Sequence, residues 1–205
     1  MRLEESPQQT AAIGPGINMS PSTIQAVVLS GGPPANKLLG PWLARHCPDW
    51  RYGSGEYGYN VARNQSITRF LREDVPAGKT HLLMFDHDMV PLPATDAILT
   101  EPGDMLYCGF VGRAASHGHK GPGDFGFACS RLSGRLLDQM GYPWSADRIE
   151  GGRRTQCECA FFRKRAEAAG ATPRMVGIVG HEQTCILLPT ETELGWAVAW
   201  PQDLP

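Results

Sequence analysis

The sequence predicts a single α/β domain, with a mostly parallel central sheet flanked by helices. Two observations carry this. Short apolar runs of strand length, at 24–29, 82–85, 104–111 and 172–179, alternate with stretches of helical spacing, the pattern of βα units. The runs at 24–29 and 82–85 are also unbroken by polar residues beyond Gln25, as strands buried on both faces require. A chain of 205 residues can bury one sizeable core. No repeat or linker divides it. Residues 1–22 and 191–205 read as tails, and 23–190 as the domain.

Taken in order, residues 24–29 (IQAVVL) are rich in β-branched side chains and end in Ser30-Gly31-Gly32-Pro33-Pro34. Such a loop lets Ser30 and Gly31 bring backbone close to a ligand. G-x-G-x-x-G is absent, and an ordinary strand-to-helix turn reads equally well. A helix is expected over 37–46, begun or broken at Pro41, followed by a polar, glycine-rich connection over 48–57. Val61, Ala62, Ile67, Phe70 and Leu71 fall close to helical spacing over 59–73, and Pro76 and Gly78 close that helix before the strand at 82–85. Pro91 and Pro93 mark a turn, 95–99 a short helix, and 104–111 (DMLYCGFV) a further strand. Residues 112–124 form a glycine-rich polar loop with His117, His119 and Lys120, either solvated or a lid over a ligand. A strand at 125–129 and a helix at 132–140 come next. A polar stretch at 144–156 leads to a helix at 157–169 with Gly170 as its C-cap. The strand at 172–179 runs into Gly180-His181.

The formal net charge of −2 implies no polyanion-binding surface by itself. Arg153, Arg154, Arg163, Lys164 and Arg165 form a local basic cluster, either a solvated face or a phosphate contact. Six cysteines show no C-x-x-C pair, and Cys108, Cys129 and Cys185 lie among apolar residues. They read as reduced thiols of a cytoplasmic protein. No run approaches the ~20 apolar residues of a membrane span, and the first 20 residues lack a signal-peptide core.

Chemistry concentrates at 81–93 (HLLMFDHDMVPLP), where an apolar strand stops abruptly at Asp86-His87-Asp88. Ligands in open α/β sheets sit just beyond the carboxyl ends of the strands. Two carboxylates there repel each other and resist desolvation unless a cation lies beside them. Oxygen ligands suit Mg²⁺ or Mn²⁺, and Mg²⁺ keeps waters and bonds substrate phosphates as well. A solvated acidic loop is the plain alternative.

An ordered set of segments resembles the small GT-A-fold, family 2-like glycosyltransferases of bacteria and their phages. It comprises the first strand, A-R-N (Ala62, Arg63, Asn64), F-D-H-D-M (Phe85 to Met89), G-D-F-G-F (Gly123 to Phe127), Glu158 opening a helix, and G-H (Gly180, His181). The resemblance spans about 24–183 and implies a GT-A-like domain. It further implies transfer of a sugar from a nucleoside-diphosphate donor, UDP- or GDP-linked, with Mn²⁺ or Mg²⁺ bound by Asp86, Asp88 and His181. Asp86, Arg63 and Asn64 fall at donor-contacting positions, together with the loop of Ser30 and Gly31. Glu158 falls at the position of the general base. Cys157 replaces the first acid of the family's E-D pair, and Gly151-Gly152 only roughly echo its glycines. The acceptor is open among a glycan, a protein and a modified DNA base. A base at Glu158 favours inversion. Two other readings use the same residues. One is a metal-dependent hydrolase or nucleotidyltransferase, including a zinc site from His87, His117, His119 and His181 with Asp86 or Asp88. The other is a nucleotide- or carbohydrate-binding module that has lost its base.

Overall fold

Along the central strands, successive side chains enter two different apolar layers. The structure, a computed structural model, describes residues 21–30, 34–54, 58–111, 125–181, 186–189 and 196–199. The described strands are β1 (Ile24–Ser30), β2 (Arg51–Ser54), β3 (His81–Asp86), β4 (Met89–Pro91), β5 (Met105–Val111), β6 (Cys129–Ser133), β7 (Arg148–Glu150), β8 (Arg153–Gln156), β9 (Arg174–His181), β10 (Ile186–Pro189) and β11 (Trp196–Ala199). The α-helices are α1 (Leu39–His46), α2 (Tyr59–Arg69), α3 (Ala97–Thr100), α4 (Gly134–Met140) and α5 (Glu158–Ala168). Val27, Leu29, Leu82, Met84 and Leu132 pack with α2, α4 and α5 through Ile67, Leu137 and Phe162. Val28, Leu83, Phe85 and Leu106 face the other way, onto Leu39 and Leu43 of α1 and Ile98 and Leu99 of α3. Helices therefore cover both faces, as the unbroken apolar runs require.

The main sheet has seven strands in the order β2-β1-β3-β6-β5-β9-β4. It is mixed, not mostly parallel. β2, β1 and β3 are mutually parallel, as are β5 and β9, but β6 runs antiparallel to both β3 and β5, and β4 antiparallel to β9. An apolar run reports that both faces are covered; it carries no information about strand direction. Other differences follow from weak local signals. β2 lies inside the expected connection, β4 inside the expected proline turn, and β7 and β8 pair as a hairpin in the expected polar stretch. The strand expected at 125–129 begins only at Cys129, and residues 196–199 of the expected tail pair with β10.

Two connections set up the carboxyl end of the sheet. Only His87 and Asp88 separate β3 from β4, so the chain advances at most about 11 Å there. Yet β6, β5 and β9 lie between those two strands in the sheet order, and the sheet must curl to bring them together. The second is the register shift of β9 against β5 at Tyr107/Cys108, a bulge that re-aims the end of the strand. Beside it, Gly177 lets the Ala94 segment pack close, because a Cβ there would lie 2.3 Å from the Ala94 carbonyl oxygen. β9 then ends with His181 directly opposite Met89.

Candidate active site

The two-residue crossing from β3 to β4 is the Asp86-His87-Asp88 turn, and residues distant in sequence meet around it. Arg63, from α2, is 3% exposed and lies between two acids. Its guanidinium donates to Asp86 Oδ1 at 3.2 Å and to Glu158 Oε1 at 2.9 Å. The rings of Phe127 and Tyr59 flank it at 4.6 and 5.2 Å. Burial works to lower the Arg63 pKa, but the neighbouring Asp86, Cys159 and Glu158 outweigh it, and the net shift is upward. Asp86 is pushed up, first by burial and then by the Asp88 charge, with Arg63 pulling the other way. Tyr59, 44% exposed, is raised by burial and by both acids, which places its ring at the rim of the same cluster.

Asp88 turns the opposite way, and its Oδ2 meets His181 Nε2 at 3.2 Å. Its other oxygen, Oδ1, is buried with no hydrogen-bond partner among the described residues, as is His87 Nδ1 beside it. An orphaned, buried carboxylate oxygen costs free energy unless something binds it. Two cis ligands of an octahedral ion with bonds of 2.0–2.1 Å stand ~3 Å apart, close to the Asp88–His181 separation. Charge points the same way. Arg63 is shared by Asp86 and Glu158, Arg154 by Glu158 and Asp147, and Asp88 pairs with the His181 imidazole, so carboxylates outnumber guanidinium groups, an excess a bound cation would offset. Among the described residues no three of His, Cys, Asp and Glu converge as a ready-made cage. Mg²⁺ does not need one, since it is held through one or two protein ligands with waters and phosphates completing its shell. Asp88 and His181 therefore fit such an ion, with Asp86 held back by Arg63. A zinc site needs three or four converging protein ligands. The described residues offer none, and His117 and His119 lie outside them.

Glu158 opens α5, and Cys157 caps the helix with its backbone only. Its second oxygen accepts from Arg154 of β8, which also donates to Asp147 Oδ1 at 2.5 Å. Asn64 faces elsewhere. Its Oδ1 accepts from the Trp144 and Ser145 amides at 2.9 and 3.0 Å, and its Nδ2 donates to the Ser145 carbonyl at 2.7 Å. It braces α2 against 144–145, and its amide does not reach the cluster. Ser30 ends β1 at the same carboxyl edge, opposite Ser54. Gly31, the 112–124 loop with Lys120, and Cys185 lie outside the described residues.

The basic cluster of the sequence is dispersed. Arg163 pairs with Glu167, Arg165 caps the carbonyls of Met140, Gly141 and Pro143, and Arg154 belongs to the acidic site. Arg154, Asp147 and Tyr59 were missed as site residues. The Gly151-Gly152 turn, which folds β7 onto β8 just ahead of α5, is the signal that could have found the first.

Cys47, Cys108, Cys129, Cys157 and Cys159 are free thiols, and among the described residues no helix is long and apolar enough to cross a membrane. No family model and no curated protein matches the chain. Among solved structures it is similar to A197 from STIV, with a TM-score of 0.52 and 15% identity over 77% of this chain and 80% of that one. That likeness is one of fold.

Proposed function

We propose that the chain is a metal-dependent glycosyltransferase that moves a sugar from a UDP- or GDP-linked donor to an acceptor hydroxyl. The observation that carries this is the gathering of Arg63, Asp86, Asp88, Glu158 and His181, from four separate elements and the β3–β4 turn, at the carboxyl end of one sheet. Asp88 and His181 would hold Mn²⁺ or Mg²⁺. When bound, the cation supplies Lewis-acid stabilisation of the negative charge that develops on the departing diphosphate. Arg63, locked between Asp86 and Glu158, fixes both carboxylates so that neither reorganises during the reaction. Asp86, at the end of β3, faces the donor. Glu158 takes the proton of the attacking hydroxyl, which makes the transfer inverting. Because the basic residues are dispersed, a glycan acceptor fits better than a nucleic acid, whose binding draws on several phosphate contacts.

The experiment is release of nucleoside diphosphate from a panel of UDP- and GDP-sugars with Mn²⁺. Turnover should fall about 10²–10⁴-fold in Glu158→Gln with donor binding retained, whereas Asp88→Asn should impair both. One observation favours the binding-module reading: both Glu158 oxygens already accept hydrogen bonds from guanidinium groups. Donor binding without diphosphate release, for any donor and acceptor, would establish that reading instead.

A further inference from the structure

We infer that Arg154 is a latch on Glu158, opened by an acceptor that carries a carboxylate or phosphate group. This rests on the glycosyl-transfer reading of the site. The two guanidinium groups on Glu158 are held very differently. Arg63 is 3% exposed and fixed by Asp86 and two aromatic rings. Arg154 is 41% exposed and rides on the β7–β8 hairpin, where residues 148–155 are all solvent-exposed, Ile149 included. A two-stranded hairpin without a core of its own is marginally stable, so the strand carrying Arg154 can shift once another anion replaces Glu158, while Arg63 is fixed by its buried partners.

In transfer, the acceptor oxygen bonds to the anomeric carbon. The bond from that carbon to the diphosphate oxygen breaks with its electron pair leaving on the diphosphate, and the hydroxyl proton passes to Glu158. The inner oxygen, Oε1, faces buried Arg63. Oε2 is the outward one, and Arg154 covers it. While Arg154 holds Oε2, an acceptor hydroxyl or water must compete with a guanidinium for that oxygen, which slows proton delivery to Glu158 and hydrolysis of a bound donor. A guanidinium shared between Asp147 and Glu158 gives up one carboxylate readily only for another anion, since charge-assisted hydrogen bonds are about twice as strong as neutral ones. An anionic group near the reacting hydroxyl is therefore the key, and Arg154 is a positioning residue that selects for it.

The test follows nucleoside-diphosphate release with Mn²⁺ and a working donor, alone and with glucose, glucuronate or glucose 6-phosphate. In the natural protein, the two anionic sugars should each accelerate release about tenfold and glucose should not. A response to only one of them assigns the key to carboxylate or to phosphate. In Arg154→Gln, release without acceptor should rise about tenfold and the discrimination between charged and neutral sugars should vanish. Arg154→Lys, which keeps the charge but not the fork that bridges Asp147 and Glu158, should fall between the natural protein and Arg154→Gln, with the discrimination partly kept. A merely structural role for Arg154 would leave the discrimination intact, and that result overturns the latch. If the natural protein releases no diphosphate from any donor, the transfer reading falls and the latch falls with it.

Discussion

Among the described residues two arginines are buried, and they are buried for different reasons. Arg63 sits at the carboxyl end of the sheet between Asp86 and Glu158. Arg131, in β6, is 0% exposed and is bonded to carbonyls alone, donating to Ile98 at 2.6 Å and to Glu101, at the end of α3. With no carboxylate pressed against it, its pKa is lowered to about 10 by burial and by the Arg174 charge, Glu101 opposing. Arg63 moves in the opposite direction. Arg131 serves as a helix C-cap turned inward, satisfying carbonyls that α3 leaves open. Arg63 stands in an excess of acid, and acid in excess at a strand end is an arrangement suited to a ligand.

Breaking the Arg63 side of the comparison should cost most. Arg63→Met leaves Asp86 without its guanidinium partner and Glu158 with Arg154 alone, and loss of one partner of a buried pair costs about 3–5 kcal/mol. Denaturant unfolding should show that loss, and Mn²⁺ should restore more stability to the variant than it adds to the natural protein. Arg131→Met should cost less, about 3 kcal/mol, for two stranded carbonyls. It should leave the response to Mn²⁺ unchanged, since nothing at that end of β6 calls for a cation.

The smallest effect sharpens the contrast through pH. His81, at the start of β3, has its pKa lowered to about 4 by burial and by the Arg131 charge, with Asp104 opposing. Above pH 6.5 it is neutral in both folded and unfolded chains and contributes no slope. Between 6.5 and about 4 only the unfolded chain takes up the proton. Stability should therefore fall with pH across that window by at most about 1.4 kcal/mol per pH unit. Equilibrium unfolding against pH should show this component in the natural protein, lose it in His81→Gln, and show it weakened in Arg131→Met.

How much of this was legible in the sequence depended on the length and purity of each signal. β1 and β3 were readable because their apolar runs are broken only by Gln25, and α5 because good helix formers run up to Gly170. β2 was not, because Arg-Tyr-Gly-Ser has no strand pattern, and Gly53 is there for close approach: a Cβ would lie 2.7 Å from Ser66 Oγ. The antiparallel course of β6 was invisible, since burial does not encode direction. At the site, Asp86, Asp88 and His181 were nominated together as metal ligands; Asp88 and His181 do meet, whereas Asp86 is tied to Arg63. Arg63 was nominated for donor contact, yet its guanidinium is spent on Asp86 and Glu158. Asn64 was nominated beside it, but the next residue on a helix points about 100° away, and its amide is consumed by backbone. Sequence patterns nominate residues for a neighbourhood; the helix turn decides which of them face it.

The central claim is that Asp88 and His181 jointly hold a divalent ion. Pulsed electron paramagnetic resonance of bound Mn²⁺ reads this most directly. One ion per chain, with a directly coordinated imidazole nitrogen that disappears in His181→Ala and binding that weakens at least tenfold in Asp88→Asn, is the expected result. Mn²⁺ that binds with no nitrogen coupling, or that binds Asp88→Asn as tightly as the natural protein, would contradict it.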